Sequence, residues 1–203
     1  AAVVGTPLFL GLAAVAGVLV PLLFGDRWVN AVPVAQLLML LGVRASMSTV
    51  QMAVVRGMGR PQWHLAGAAF GLALTAALTT MAIDYGLLAV TAAVVVKAFL
   101  MWAPYAWFVH RLTGLTATQQ AAAATGPTLA ALTMAACIFG FVEWAGDRIP
   151  ALATLAIAVG LGAALYLAAL AVFAPAAAAF VRAALATLVR GDLKGLRALF
   201  AAA

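Results

Sequence analysis

Apolar residues run along this chain in long blocks, separated by short clusters of glycine, proline and charge. The blocks fall at residues 6–24, 29–55, 63–83, 86–109, 120–144 and 150–173. Each reaches the roughly 20 residues that a helix needs to cross about 30 Å of hydrocarbon. The separators carry turn chemistry: Gly25-Asp26, Arg56-Gly57-Met58-Gly59-Arg60-Pro61, Asp84-Tyr85-Gly86, Arg111-Leu112-Thr113-Gly114 and Gly146-Asp147-Arg148. Period-two alternation is absent, which argues against a β-barrel. The pattern predicts an all-α integral membrane protein with six transmembrane helices.

Composition agrees. Hydrophobic residues make up 67% of the chain and charged residues 8%, against about 25% charged in soluble domains. The mean hydropathy is +1.17. The opening Ala1-Ala2-Val3-Val4 has no Met and no basic flank. Pro7, Gly11, Gly17 and Pro21 interrupt the first block, so a signal peptide is a poor reading and the chain is expected to be the C-terminal part of something longer. The single cysteine, Cys137, has no partner for an internal disulfide.

Charge changes the picture by fixing orientation. Arg56 and Arg60 follow the second block, Arg111 follows the fourth, and Arg182, Arg190, Lys194 and Arg197 follow the sixth against one acid, Asp192. The alternate breaks hold Asp26 with Arg27, Asp84, and Glu143 and Asp147 with Arg148. Every second break is basic, so the positive-inside rule places those breaks and the C-terminus in the cytoplasm. Trp28 and Trp144 then mark outer ends and Trp63 and Trp107 inner ends, as an aromatic belt does. The net charge of +6 is explained by this topology, and no nucleic-acid partner is expected. After Pro175 the chain reads as an amphipathic helix on the cytoplasmic leaflet, with Arg190, Lys194 and Arg197 on one face and Leu185, Leu188, Leu196 and Leu199 on the other.

Motifs for hydrolysis, zinc or phosphate cradling are absent from the sequence, and no carboxylate falls at mid-depth. His64 and His110 sit at inner helix ends, where a lone histidine is usually solvated. The sequence therefore predicts neither an enzyme nor a metal or cofactor site.

The chemistry lies in two cations. Arg44 and Lys97 fall near the middle of their blocks, about 18–20 Å from the cytoplasmic boundary at 1.5 Å per residue. A cation at such depth costs about 2.5–3.5 kcal/mol on insertion scales. One reading is a cationic patch on an aqueous cavity that faces a phosphate or pyrophosphate. The other is an interhelical hydrogen-bond or ion-pair role, and a third is snorkelling toward lipid. Ser48 and Gln51 follow Arg44 at helical spacing and extend a polar stripe, with Gln36 on roughly the same face. The candidate substrate-binding residues are therefore Arg44, Lys97, Ser48 and Gln51. Near Lys97 the stripe holds only Thr91 and Tyr105, and Pro104 is expected to kink that helix. Gly67 and Gly71 form a G-x-x-x-G row, expected to pack within the protein rather than form a dimer face.

The stretch Leu22-Leu23-Phe24-Gly25-Asp26-Arg27-Trp28 resembles the L-F-G-x-x-W turn of polysaccharide flippases, within the multidrug/oligosaccharidyl-lipid/polysaccharide exporter superfamily. The following 31–41 run, the helix end Arg56-Gly57-Met58-Gly59-Arg60-Pro61 and Asp84-Tyr85-Gly86-Leu87 look similar to that family in the same order. The resemblance covers about residues 5–112. It implies a transporter of roughly 12–14 helices in two pseudo-symmetric lobes around a central cavity, working by alternating access. On it, residues 1–112 supply four helices of the C-terminal lobe, 113–174 two additional helices, and 175–203 the basic tail. The missing lobe would be a partner, and this chain alone should not transport.

The expected function is translocation of lipid-linked oligosaccharide or polysaccharide intermediates across the bacterial cytoplasmic membrane. The expected partners are a polyprenyl-pyrophosphate-linked sugar and membrane lipid. Two rivals stand: a drug or cation exporter of the same superfamily, which would want an acidic cavity, and a non-transporting scaffold of an envelope polysaccharide assembly complex, in which the cations serve assembly.

Overall fold

A computed structural model describes residues 2–59 and 61–189. Among them the regular structure is helical: α1 (Ala2–Phe24), α2 (Val32–Gly57), α3 (Pro61–Ala82), α4 (Leu87–Leu100), α5 (Trp102–Thr113), α6 (Ala117–Ala145), α7 (Ala151–Phe173) and α8 (Pro175–Val189). Six stretches are long and apolar enough to cross a membrane, with α4 and α5 together forming one of them. The chain is thus an all-α, multi-pass membrane protein. The expected blocks match these stretches to within a few residues at each end.

Local chemistry explains the boundaries. Gly25 and Gly86 both adopt φ 88°, which a side chain disfavours, and each starts or ends a short 3-10 turn between spans. Thr116 and Gln119 form a reciprocal capping box at the start of α6. That helix therefore begins before the expected residue 120. Pro104 lacks an N–H and crowds the carbonyl one turn earlier. The fourth span accordingly breaks at Met101 into α4 and α5, rather than bending at the proline itself.

Two groups of helices share α2. In the first, α1, α6 and α7 pack around Ala14, Ala130, Ala131, Met134, Ile138, Ala158 and Leu170. Small residues let these backbones approach closely, the usual device where lipid removes the hydrophobic drive between helices. The α1–α2 contact is close. A Cβ at Gly42 would lie 2.2 Å from the Phe9 ring, and one at Gly5 would lie 1.9 Å from the Ser46 hydroxyl oxygen. Pro7 deprives the Val3 carbonyl of its helical donor. The Tyr166 hydroxyl on α7 donates to that carbonyl at 2.6 Å, tying α7 to α1.

In the second group α2, α3, α4 and α5 surround a cavity that receives a few polar side chains, Arg44 and Lys97 among them. Most of α3 faces outward, with Leu65, Phe70, Leu72 and Met81 exposed. Such side chains are at no disadvantage against hydrocarbon. The described part of the C-terminal segment, α8, buries Ala178 against the bundle beside Ala177 and Val181. The residues expected to form the basic face of a surface helix, Arg190, Lys194 and Arg197, lie outside the described residues.

Candidate functional site

Arg44 and Lys97 line one cavity of about 490 Å³, walled by α2, α3, α4 and α5. Arg44 projects from mid-α2 and is only 5% exposed. Its Nε–H donates to the carbonyl oxygen of Ala98 at 3.0 Å, just before the break in the fourth span. Its Nη1 is buried with no hydrogen-bond partner. Lys97 lies one turn before the break, and neither cation has an ion-pair partner among the described residues. By connectivity, the described acids Asp26, Asp84, Glu143 and Asp147 sit in or beside turns at the far end of the bundle.

The third wall is α3, and its glycine row admits the polar side chains. A Cβ at Gly71 would stand 3.5 Å from Lys97 Cε and 3.7 Å from Lys97 Nζ. One at Gly67 would stand 3.0 Å from the Tyr105 hydroxyl oxygen and 3.2 Å from Tyr105 Cζ. The G-x-x-x-G row is thus spent inside the protein, as expected. What it receives are the side chains of Lys97 and Tyr105, beyond the helix backbone that the motif usually accommodates.

The other sequence candidates divide. Ser48 lines the cavity, but its hydroxyl donates to the carbonyls of Arg44 and Ala45, each at 3.1 Å. Gln51 lies nearer the end of α2 and is absent from the cavity wall. Its Nε2 donates to Oε1 of Gln120 on α6 at 3.2 Å, and its own Oε1 is buried without a partner. Gln120 in turn donates to the carbonyls of Ala106 at 3.1 Å and Leu115 at 3.0 Å, knitting α2, α5 and α6. Gln36 turns away altogether: its Nε2 donates to the Ala13 carbonyl at 3.2 Å. Eight residues of α-helix leave it about 80° from Arg44, which places it in a separate apolar cavity of about 610 Å³ beside Leu10, Leu40 and Phe139.

Sequence reasoning left His64, Thr75 and Tyr105 out of the binding set, although it put Tyr105 on the stripe near Lys97; all three line the cationic cavity. A signal of helical spacing existed for the first two. His64, Gly67, Gly71 and Thr75 recur at helical spacing and mark one polar, small-residue face of α3. His64 is not simply solvated. Its Nε2 lies 3.2 Å from Arg56 Nη2 and its Nδ1 lies 3.4 Å from the Tyr105 hydroxyl. Beyond it Trp63 and Trp107 stack at 5.9 Å, with Arg111 over the Trp107 ring at 5.4 Å. This aromatic and basic cluster marks the same end of the bundle for α3 and α5. No group of three metal-ligating side chains occurs among the described residues.

In chemical terms the arrangement could receive an anion: two cations without an ion-pair partner among the described residues, one with a buried N–H that makes no hydrogen bond. No protein-family model, curated protein or solved structure matches this chain.

Proposed function

We propose that this chain forms the C-terminal part of a flippase that moves lipid-linked oligosaccharide or polysaccharide intermediates across the bacterial cytoplasmic membrane. The observation that carries the reading is the pairing of Arg44 and Lys97 on one cavity with no acid beside them. Each unpaired cation is costly at that depth. An anionic group on the cargo, a pyrophosphate or an acidic sugar, would offset that cost as it binds.

The break between α4 and α5 beside Lys97 supports the same reading, because discontinuous helices frame the substrate sites of many transporters. A cation or drug exporter fits less well, since the described cavity wall holds two cations and no carboxylate. One observation favours the scaffold alternative: Arg44 already holds the Ala98 carbonyl, a structural duty. In our reading that bond fixes the guanidinium while Nη1 stays available. The basic ends carrying Arg56 and Arg111 face the cytoplasm. Ion coupling, where present, falls to residues outside this chain or to the membrane potential.

Exported polymer measured for Arg44→Ala and Lys97→Ala in the full-length protein tests the assignment. Both are expected to export less at unchanged protein level. Wild-type export from both variants would leave the scaffold reading in its place.

A further inference from the structure

The polar groups of the cavity differ in where their protons already go. Ser48 gives its hydroxyl proton to Arg44 and Ala45, and Thr75 gives its own to the Gly71 carbonyl at 2.7 Å. Both therefore present lone pairs to the cavity, which an anion does not favour.

Tyr105 is the exception. A guanidinium only donates, so the contact from Arg56 makes Nε2 of His64 an acceptor. A neutral imidazole with Nε2 unprotonated carries its proton on Nδ1. That Nδ1–H then donates to the Tyr105 hydroxyl oxygen across 3.4 Å. The phenol proton is left uncommitted on a residue that is only 5% exposed and lines the cavity. Phe108 holds the ring edge-on at 5.8 Å and 85°. Gly67 leaves the space in which the hydroxyl sits.

Resting on the reading that the cavity holds an anionic group, we infer that Tyr105 is a third anion donor beside Arg44 and Lys97, oriented by Arg56 through His64. The hydrogen bonds run one way: Arg56 to His64, His64 to Tyr105, Tyr105 to the anion. Each link polarises the next, so the terminal O–H becomes a stronger donor. Arg44, Lys97 and Tyr105 supply three donors that suit an ionised oxyanion, set against the lone pairs of Ser48 and Thr75 on the same wall. His64 and Arg56 act through Tyr105 and are positioning residues.

The test is calorimetric titration of inorganic pyrophosphate into the full-length protein in phosphatidylcholine nanodiscs. Tyr105→Phe keeps the ring packing and is expected to bind about tenfold more weakly than wild type. His64→Phe is expected to show the same loss, and the double variant no more than Tyr105→Phe alone. His64→Gln keeps an acceptor for Arg56 and a donor for Tyr105, so it should recover most of the affinity. If Tyr105→Phe binds as wild type while Arg44→Ala does not, the third donor is overturned and the cavity reading stands. Additive losses from His64→Phe and Tyr105→Phe would overturn the orienting role. A wild-type protein that binds no pyrophosphate would overturn both this inference and the anion-binding cavity.

Discussion

The Nε–H of Arg44 and the carbonyl oxygen of Ala98 meet at 3.0 Å, joining mid-α2 to the end of α4 across 54 residues of sequence. This bond aims the guanidinium. It uses one N–H on a helix that is about to break and leaves Nη1 buried without a hydrogen-bond partner. Two donors on one rigid plane are thus asked to do different things. A lysine has the charge but not the fork.

Arg44→Lys should therefore behave as a loss rather than a conservative change. One ammonium on a flexible stem does not hold Ala98 and face an anion with fixed geometry. Export is expected to fall to roughly a tenth of wild type, at equal protein level in the membrane. Wild-type export would mean that charge alone suffices.

The two glycines of the α3 row should respond differently. A Cβ at Gly67 crowds the Tyr105 hydroxyl at 3.0 Å, whereas one at Gly71 meets Lys97 and Met101 at 3.5 Å and beyond, an ordinary contact. Gly67→Ala is expected to lower stability by about 1–3 kcal/mol and weaken pyrophosphate binding, with Gly71→Ala close to neutral in both. Thermal unfolding in detergent and calorimetry read the two effects. Equal responses would point to a row serving helix approach alone.

The bond from Tyr166 to Val3 exists because Pro7 leaves that carbonyl without its helical donor. Tyr166→Phe is expected to cost about 0.6–1.7 kcal/mol, the range for interhelical bonds in membrane proteins. In a Pro7→Ala background the carbonyl regains a helical N–H, and the cost of Tyr166→Phe should shrink. A double-mutant cycle on unfolding midpoints measures the coupling. Strict additivity would show that Pro7 does not create the need.

Gln51 sits where a polar stripe continues in sequence but where the cavity does not. Its partner is Gln120 on α6. Gln51→Ala is expected to lower stability by about 0.6 kcal/mol and to leave pyrophosphate affinity within about twofold. A loss of affinity equal to that of Lys97→Ala would put Gln51 back among the binding residues.

The six apolar spans, their turns and the positions of Arg44 and Lys97 along them were legible in the sequence, since hydropathy and turn residues are local properties. The break beside Pro104 was foreseen as a kink and only its place shifted, to Met101. The tertiary structure alone decided how each helix is rotated about its axis. In a membrane protein apolar residues cover lipid-facing and buried faces alike, so no amphipathic pattern marks the inner side. Nothing local distinguishes Gln36, turned to Ala13, from Arg44, turned to Ala98, or Gln51, claimed by Gln120. Packing of α2 against α1 on one side and against α3, α4 and α5 on the other made that choice, and it brought His64, Thr75 and Tyr105 to the cavity that holds Arg44, Ser48 and Lys97.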